Sequence, residues 1–102
     1  MIHVIATVDL VSGTREDFLN EFRQIVPKVH AEQGCIEYGP AVDADTGLDA
    51  QYTLGPDKVV VVEKWEDVAA LKAHMTAPHM LEYRDKVKDF VRSMELRVLD
   101  PA

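Results

Sequence analysis

The residues with the most evident chemistry are gathered in one segment, between Glu63 and His79. Trp65 is the only tryptophan of the chain, and His74 and His79 are two of its four histidines. Imidazole titrates near neutral pH, and indole offers a large flat apolar surface. Side chains of these two kinds near one another suit a pocket for a flat aromatic ligand. The residue types do not by themselves identify a reaction.

His74 is the leading candidate for a group that accepts a proton. It lies three residues after Leu71 and directly before Met75, so it borders the apolar face of a predicted helix. A general base in a cavity is one interpretation, and a structural histidine bonded to the backbone is an equal alternative. His79 follows Pro78 at a predicted helix start, where a first-turn surface residue is favoured over a ligand contact.

Trp65 and Glu63 alternate along one predicted strand and therefore share a face of it. Trp65 is expected to fill the core or an interface, and a pocket wall that stacks a ligand ring is the alternative. If this face is buried, Glu63 needs a partner, and structural pairing is favoured over a role as general base. The candidate partners are Arg84, Arg92 and Arg97.

Three further kinds of side chain could serve a polar ligand. The phenols of Tyr38 and Tyr52 could bind a ligand oxygen, although packing is the favoured role for both. Arg84 could stabilise an anionic oxygen, and a surface or interface ion pair is the alternative. Cys35 is expected to be a small buried residue rather than a nucleophile. No cluster of His, Cys, Asp or Glu has metal-ligand spacing, so no metal site is predicted.

The composition restricts the partners and the compartment. The 102 residues carry a net charge of −7, which argues against nucleic acid and against an anionic membrane surface. A single cysteine allows no intrachain disulfide and fits a reducing compartment. The N-terminus does not resemble a signal peptide, and the apolar run Val59 to Val62 is too short to cross a bilayer. We therefore expect a single cytoplasmic domain over residues 1–102.

Apolar periodicity predicts the elements that must position these residues. Strands are predicted over 2–11, 35–42, 58–65 and 93–99, with a further short strand over 51–54. Helices are predicted after Thr14, after Asp67 and from Pro78. Thr14 with an acid three residues later resembles a capping box, Pro27 predicts a kink or a break, and Gly34 stands where a helix C-cap is expected.

The order β-α-β-β-α-β indicates an α+β, ferredoxin-like fold with helices on one face of an antiparallel sheet. The predicted strand over 58–65 is apolar on both faces in its run Val59 to Val62, which favours a central position. Because helices cover only one face, something else must cover the other. The simplest candidate is a second copy of the chain, with two sheets packed as a barrel-like homodimer.

Several segments resemble the antibiotic biosynthesis monooxygenase family of small dimeric α+β-barrel proteins. The similarity rests on Glu32 to Tyr38, Val62 to Glu66, Ala69 to His74 and Ala77 to His79, in this order and spacing. The resemblance implies oxygenation of a small aromatic polyol or quinol with O2 and no metal or flavin. It places His74 as the leading base. The candidates for substrate contacts are Trp65, Tyr38, His79, Arg84 and Glu63.

The same resemblance leaves other functions open. A binding module could use the pocket without turnover, and an isomerase of a small oxygenated metabolite would share the family. The haem-degrading branch of the fold is a poor match, because its Asn, Trp and His positions correspond here to Ala6, His74 and Arg84. The chain also has a longer segment over 43–57 than compact members need.

Overall fold

The structure is a computed structural model that describes all residues from 1 to 102. Four strands and three helices follow one another in the predicted order β-α-β-β-α-β, with the second helical region divided at Pro78. None of the helices is long and apolar enough to cross a membrane. The elements are β1 (Ile2–Leu10), α1 (Arg15–His30), β2 (Cys35–Ala41), β3 (Lys58–Trp65), α2 (Val68–Met75), α3 (Pro78–Val87) and β4 (Val91–Leu99).

The four strands form one antiparallel sheet in the order β2-β3-β1-β4. This order is that of a ferredoxin-like α+β fold, as predicted, and β3 is central. Buried and half-buried residues alternate strictly along β1 and β3, because one face meets the helices and the other is open. The register pairs buried Val4 with Glu63 and buried Ile2 with Trp65. Because paired residues share a face of the sheet, the side chains of Glu63 and Trp65 both point toward the helices.

The helix layer completes a core around the inward face of β1 and β3. The apolar residues of α1 recur at helical spacing, and its buried members are Phe18, Leu19, Phe22, Ile25 and Val29. Helix α1 continues through Pro27 to His30, so of the two alternatives predicted there, a kink or a break, the break is wrong. Pro27 lies in the last turn, where the missing N–H removes only one of the final helical bonds. Val29 still anchors that turn in the core.

Three local predictions are also wrong. The Thr14 hydroxyl donates to the Val11 carbonyl at 2.7 Å and does not cap α1, so no capping box forms. Helix α1 ends before Ala31, and Gly34, at φ +85°, turns the chain into β2 instead of capping the helix. Residues 51–54 form no strand. In their place Asp43 accepts hydrogen bonds from the amides of Leu54 and Gly55, which closes the 43–57 segment into a loop.

The edge strand β4 begins two residues earlier than predicted and is exposed along most of its length. Met94, Leu96 and Val98 do share one face, as expected, because they pair with Val8, Ala6 and Val4 of β1. That face is on the helix side of the sheet, yet the helix layer leaves it open, since Met94 is 51% exposed and Leu96 and Val98 are exposed as well. An apolar strip therefore remains open beside the helix layer.

Candidate functional site

A cavity of about 390 Å³ lies between the sheet and the helix layer. Thirteen of its 17 lining residues are apolar or aromatic, so the few polar groups stand out. Exposed Met94 and Leu96 of β4 belong to the lining, and the cavity therefore opens along this uncovered edge. The charged or titratable residues in the lining are Glu63, His74, Arg84 and Lys88, together with the phenols Tyr38 and Tyr83.

Aromatic rings form one wall of the cavity. Phe18 and Phe22 of α1 stack with centroids 5.9 Å apart, and Phe22 stacks on Tyr38 of β2 at 5.4 Å. Tyr83 of α3 meets both phenylalanines edge to face. Offset and edge-to-face contacts of this kind fix ring positions and leave flat apolar surface toward the empty space. The wall suits a planar aromatic ligand.

His74 lies on α2 and is only 2% exposed. Its Nδ1 atom donates to the Glu32 carboxylate at 2.9 Å, and its ring lies against Trp65 with centroids 4.7 Å apart. The Nε2 atom has no hydrogen-bond partner in the protein. Every fully buried polar side-chain atom has such a partner, so Nε2 keeps some accessible surface, and His74 lines the cavity. Burial lowers the pKa of His74, while Glu32 opposes that shift. A neutral imidazole with a free lone pair results.

Glu63 of β3 is 5% exposed and has no cationic partner. Its Oε1 atom accepts a hydrogen bond of 2.9 Å from the Trp65 indole N–H. The predicted pairing with an arginine is therefore wrong, because the neighbour along the same face of β3 already satisfies one oxygen. Burial raises the pKa of Glu63 to about 7, despite the opposing effect of the indole N–H. A carboxyl group that titrates near neutrality thus lines the cavity.

Tyr38 and Arg84 complete the polar part of the lining. The Tyr38 ring is buried beside His74, with centroids 5.3 Å apart, and burial raises the pKa of its phenol. Its hydroxyl has no partner in the protein and so is free for a ligand. Arg84 donates from a guanidinium nitrogen to the Met75 carbonyl at 2.7 Å and forms no ion pair. This bond holds the arginine at the cavity while leaving other N–H groups available.

The structure brings four of the six candidate residues to the cavity and leaves two outside its lining. His74, Glu63, Tyr38 and Arg84 line it. Trp65 is completely buried behind them, where its indole holds Glu63 and its ring supports His74. His79 lies behind the same wall, and its Nε2 atom meets the Glu32 carboxylate at 2.8 Å. Tyr52 does not line the cavity and is not packed as predicted, since it is 97% exposed on the 43–57 loop.

Sequence reasoning missed Glu32 and most of the aromatic wall. Glu32 lies 42 positions before His74, so no local spacing connects the two residues. Phe18, Phe22 and Tyr83 belong to helical apolar patterns, which predict burial but cannot show which buried rings border a cavity. No group of three or more His, Cys, Asp or Glu side chains is arranged to hold a metal ion.

Comparison with known proteins gives consistent matches over nearly the whole chain. The family model for antibiotic biosynthesis monooxygenase matches residues 1–86. The Escherichia coli K12 protein named probable quinol monooxygenase YgiN is 41% identical, over 99% of this chain and 98% of its own length. The solved structure of Rv0793 from Mycobacterium tuberculosis is 26% identical in sequence and superposes with a TM-score of 0.79, over 99% of this chain and 94% of that one.

A more distant solved structure supports the fold alone. Pseudomonas aeruginosa PA3566 shares 24% identity and superposes with a TM-score of 0.80, over 99% of this chain and 93% of that one. At this identity the similarity shows only that the strands and helices have the same arrangement, and it says nothing about the chemistry of the site.

Proposed function

The chain belongs to the antibiotic biosynthesis monooxygenase family, and from that premise we propose that it oxidises a quinol or related aromatic polyol with O2, without metal or flavin. One observation carries the proposal. Two titratable groups, His74 and Glu63, face an apolar, aromatic-walled cavity and have no cation as partner. The probable quinol monooxygenase that is 41% identical to this chain supports the substrate class.

The chemistry begins with removal of a phenolic proton. Free phenols titrate near pH 10, so a quinol at neutral pH needs a base and surroundings that favour the anion. His74 is the proposed base, because its lone pair at Nε2 is open to the cavity and its pKa is lowered by burial. Arg84 and the Tyr38 hydroxyl are the proposed donors to the ligand oxygens.

The remaining steps balance with O2 as the oxidant. A ring carbon of the phenolate forms a bond to O2, and the two electrons that make the bond reduce O2 to a peroxide. The base returns its proton to the distal peroxide oxygen. The ring C–H proton is then lost, the O–O bond breaks, and the distal oxygen leaves as water. One oxygen atom stays on the ring, so that quinol and O2 give a hydroxyquinone and water.

We also propose a homodimer packed through the open face of the sheet. Val60 and Val62 of β3 and Ile5 of β1 lie at the centre of that face and are only half-buried in the single chain. Charged residues surround them, among them Lys58, Lys64 and Glu37. An apolar centre with a charged border is the usual composition of a protein interface.

Labelled oxygen tests the proposed function directly. The protein is incubated with a naphthohydroquinone under ¹⁸O₂ in the presence of a metal chelator, and the product is analysed by mass spectrometry against a protein-free control. We expect a hydroxyquinone that carries one labelled atom, at a rate above that of spontaneous oxidation. An unlabelled quinone would overturn the monooxygenase proposal. Thermal protection by the quinol without any product would instead favour a binding module.

A further inference from the structure

We propose that Glu32 and His79 are positioning residues that fix the tautomer and orientation of His74. Neither residue lines the cavity, and both lie behind the wall that His74 forms. The proposal rests on the function proposed above, in which His74 acts as the base. It also gives His79 a place in the site other than contact with the substrate.

The Glu32 carboxylate stands between two imidazoles. It accepts from His74 Nδ1 at 2.9 Å and from His79 Nε2 at 2.8 Å, with the same Oε2 atom nearest to both. The two histidines belong to different helices, α2 and α3, while Glu32 belongs to the turn between α1 and β2. The carboxylate is itself mostly buried, at 14% exposure, so water competes weakly for these bonds.

The hydrogen bond to Glu32 decides which nitrogen of His74 can act. A carboxylate can only accept, so the Nδ1 atom must carry the proton of the neutral ring. The lone pair is then on Nε2, the ring nitrogen that has no partner in the protein, and the residue lines the cavity. A base oriented in this way by a third group is a recurring arrangement in enzymes that transfer protons. Without Glu32 the ring would also populate the tautomer with Nε2 protonated, which cannot accept a proton from a substrate.

His79 in turn fixes Glu32. Its N–H donates to Oε2, the same oxygen that accepts from His74, and this second donor restricts rotation about the last torsion of the Glu32 side chain. Because His79 is only 20% exposed, this bond is partly shielded from solvent. The chain from His79 through Glu32 to His74 therefore orders the base before any substrate enters.

The groups around His74 predict the direction in which its pKa should move when Glu32 is replaced. Glu32 raises its pKa, whereas burial, Arg84 and His79 lower it. Tyr38 and Trp65 pack against the ring, and Glu63 lines the same cavity. Replacing Glu32 by glutamine removes the only neighbour that favours the protonated ring. The rise of kcat/KM with pH, which follows deprotonation of the base, should then move to lower pH.

Glu32→Gln and His79→Leu are the test variants, each with a matched control. Glutamine is uncharged, so it accepts more weakly than a carboxylate, and its NH2 group replaces one of the two oxygens that contact His74 Nδ1. Glu32→Gln should therefore lower kcat by roughly tenfold to a hundredfold, within the range that a general base contributes. KM should change by less than about twofold, because neither residue touches the ligand. Glu82→Gln, on the exposed face of α3, is the control for loss of one carboxylate. His79→Gln returns an N–H near the Nε2 position and should restore most of the activity lost in His79→Leu.

A readout without turnover separates this proposal from the proposed function. Nitrogen NMR of ¹⁵N-histidine-labelled protein should show His74 protonated at Nδ1 in the wild type and in Glu82→Gln, and a mixture of tautomers in Glu32→Gln and His79→Leu. An unchanged tautomer in both test variants would overturn the proposal. If the wild type oxidises no quinol, the function of His74 as base fails, and the spectra still decide what orders the ring. Should Glu32→Gln not fold, His79→Leu alone carries both measurements.

Discussion

At the scale of single residues, burial acts in opposite directions on the two titratable groups of the cavity. It lowers the pKa of His74 and raises the pKa of Glu63 to about 7. In both cases the low-polarity surroundings favour the uncharged form. The cavity therefore holds a neutral imidazole beside a carboxyl group that exchanges its proton near pH 7, which is the range in which a base and an acid can both operate.

Replacement of His74 tests its role as base. His74→Ala should lower kcat for a hydroquinone about a hundredfold or more, the range expected for a positioned general base. The wild type should gain activity with rising pH through an inflection below that of a free imidazole, because burial lowers the pKa of His74. The variant should lack this inflection, as measured by initial rates of O2 uptake from pH 4.5 to 8.

His3→Ala is the matched control for that measurement. His3 lies on the open face of β1, opposite to the cavity, so its removal should leave the inflection in place. Unchanged turnover in His74→Ala, with the inflection retained, would shift the role of base to Glu63. Loss of folding in His74→Ala, judged by circular dichroism, would favour a structural histidine.

Glu63 should make stability depend on pH. Its carboxyl group binds a proton more tightly in the folded protein, with a pKa of about 7, than in the unfolded chain, with a pKa near 4.5. The stabilisation is fully present below about pH 4.5 and is lost as pH rises through 7. The glutamine side chain in Glu63→Gln is uncharged at every pH in this range. Relative to this variant, the wild-type free energy of unfolding should fall by about 3 kcal/mol at most between pH 4.5 and 8.

Urea denaturation of both proteins at several pH values measures this difference. The glutamine side chain can still accept from the Trp65 indole, so the comparison isolates the charge. A difference in unfolding free energy that stays constant from pH 4.5 to 8 would contradict the shifted pKa.

At the scale of elements, the turn between α1 and β2 sets how closely α2 approaches the sheet. Gly34 has a φ of +85°, and a Cβ atom there would lie 2.6 Å from the Cβ of Ala70 on α2. Its carbonyl also accepts from the Glu66 amide at 2.8 Å, which ties the turn to the start of α2. The same turn carries Glu32, so this close approach brings the carboxylate to His74.

Alanine at Gly34 should disturb both stability and the site. Gly34→Ala combines a strained backbone, about 1 kcal/mol or more, with overpacking of about 1–3 kcal/mol. Gly13→Ala is the matched control, because its φ is +81° and nothing lies within 4 Å of the added Cβ. Thermal or urea unfolding should therefore show a loss at least twice as large for Gly34→Ala. Equal losses in the two variants would mean that α2 moves away freely.

At the scale of the whole molecule, the two faces of the sheet differ in what covers them. The helix side encloses the cavity, with Val4, Val59 and Trp65 completely buried beneath the helices. The open side presents Ile5, Val60 and Val62, which remain half-buried in a single chain. A second copy packed there would leave the cavity untouched, since its lining lies on the other side.

A charge at the centre of the open face should separate the proposed dimer. Val62 pairs with Ile5 and with Gly39, so Val62→Arg places a cation where two sheets would meet. Sedimentation at micromolar concentration should give about twice 11.5 kDa for the wild type and 11.5 kDa for the variant. An interface of roughly 2,000 Å² or more in total is expected for such a pair.

Leu81→Arg is the control for this substitution, because Leu81 is an exposed apolar residue of α3 on the other side of the molecule. It should sediment like the wild type. A wild-type protein that sediments as a monomer would refute the dimer and would leave the open face without a partner.

Local patterns in the sequence predicted the four strands, the three helical segments and their order, but they also predicted a strand over 51–54 that does not form. Alternation identified β1, the apolar run Val59 to Val62 identified β3, and helical spacing identified α1. Pro78 correctly marked the start of α3, and each of these patterns reflects contacts within a few residues. The strand order followed from the ferredoxin-like sequence of elements. The same reasoning placed Glu63 and Trp65 on one face of β3, which the register confirms.

Only the tertiary structure decided how these residues work together. The carboxylate of Glu32 reaches His74 and His79 across 42 and 47 positions, and such pairings depend on how helices pack rather than on any local pattern. The Glu63 carboxylate accepts a hydrogen bond from the Trp65 indole instead of pairing with an arginine, because this N–H donor lies on the same strand and the same buried face. The cavity opens along β4, where Met94 and Leu96 stay exposed, and this opening depends on how the whole helix layer packs on the sheet.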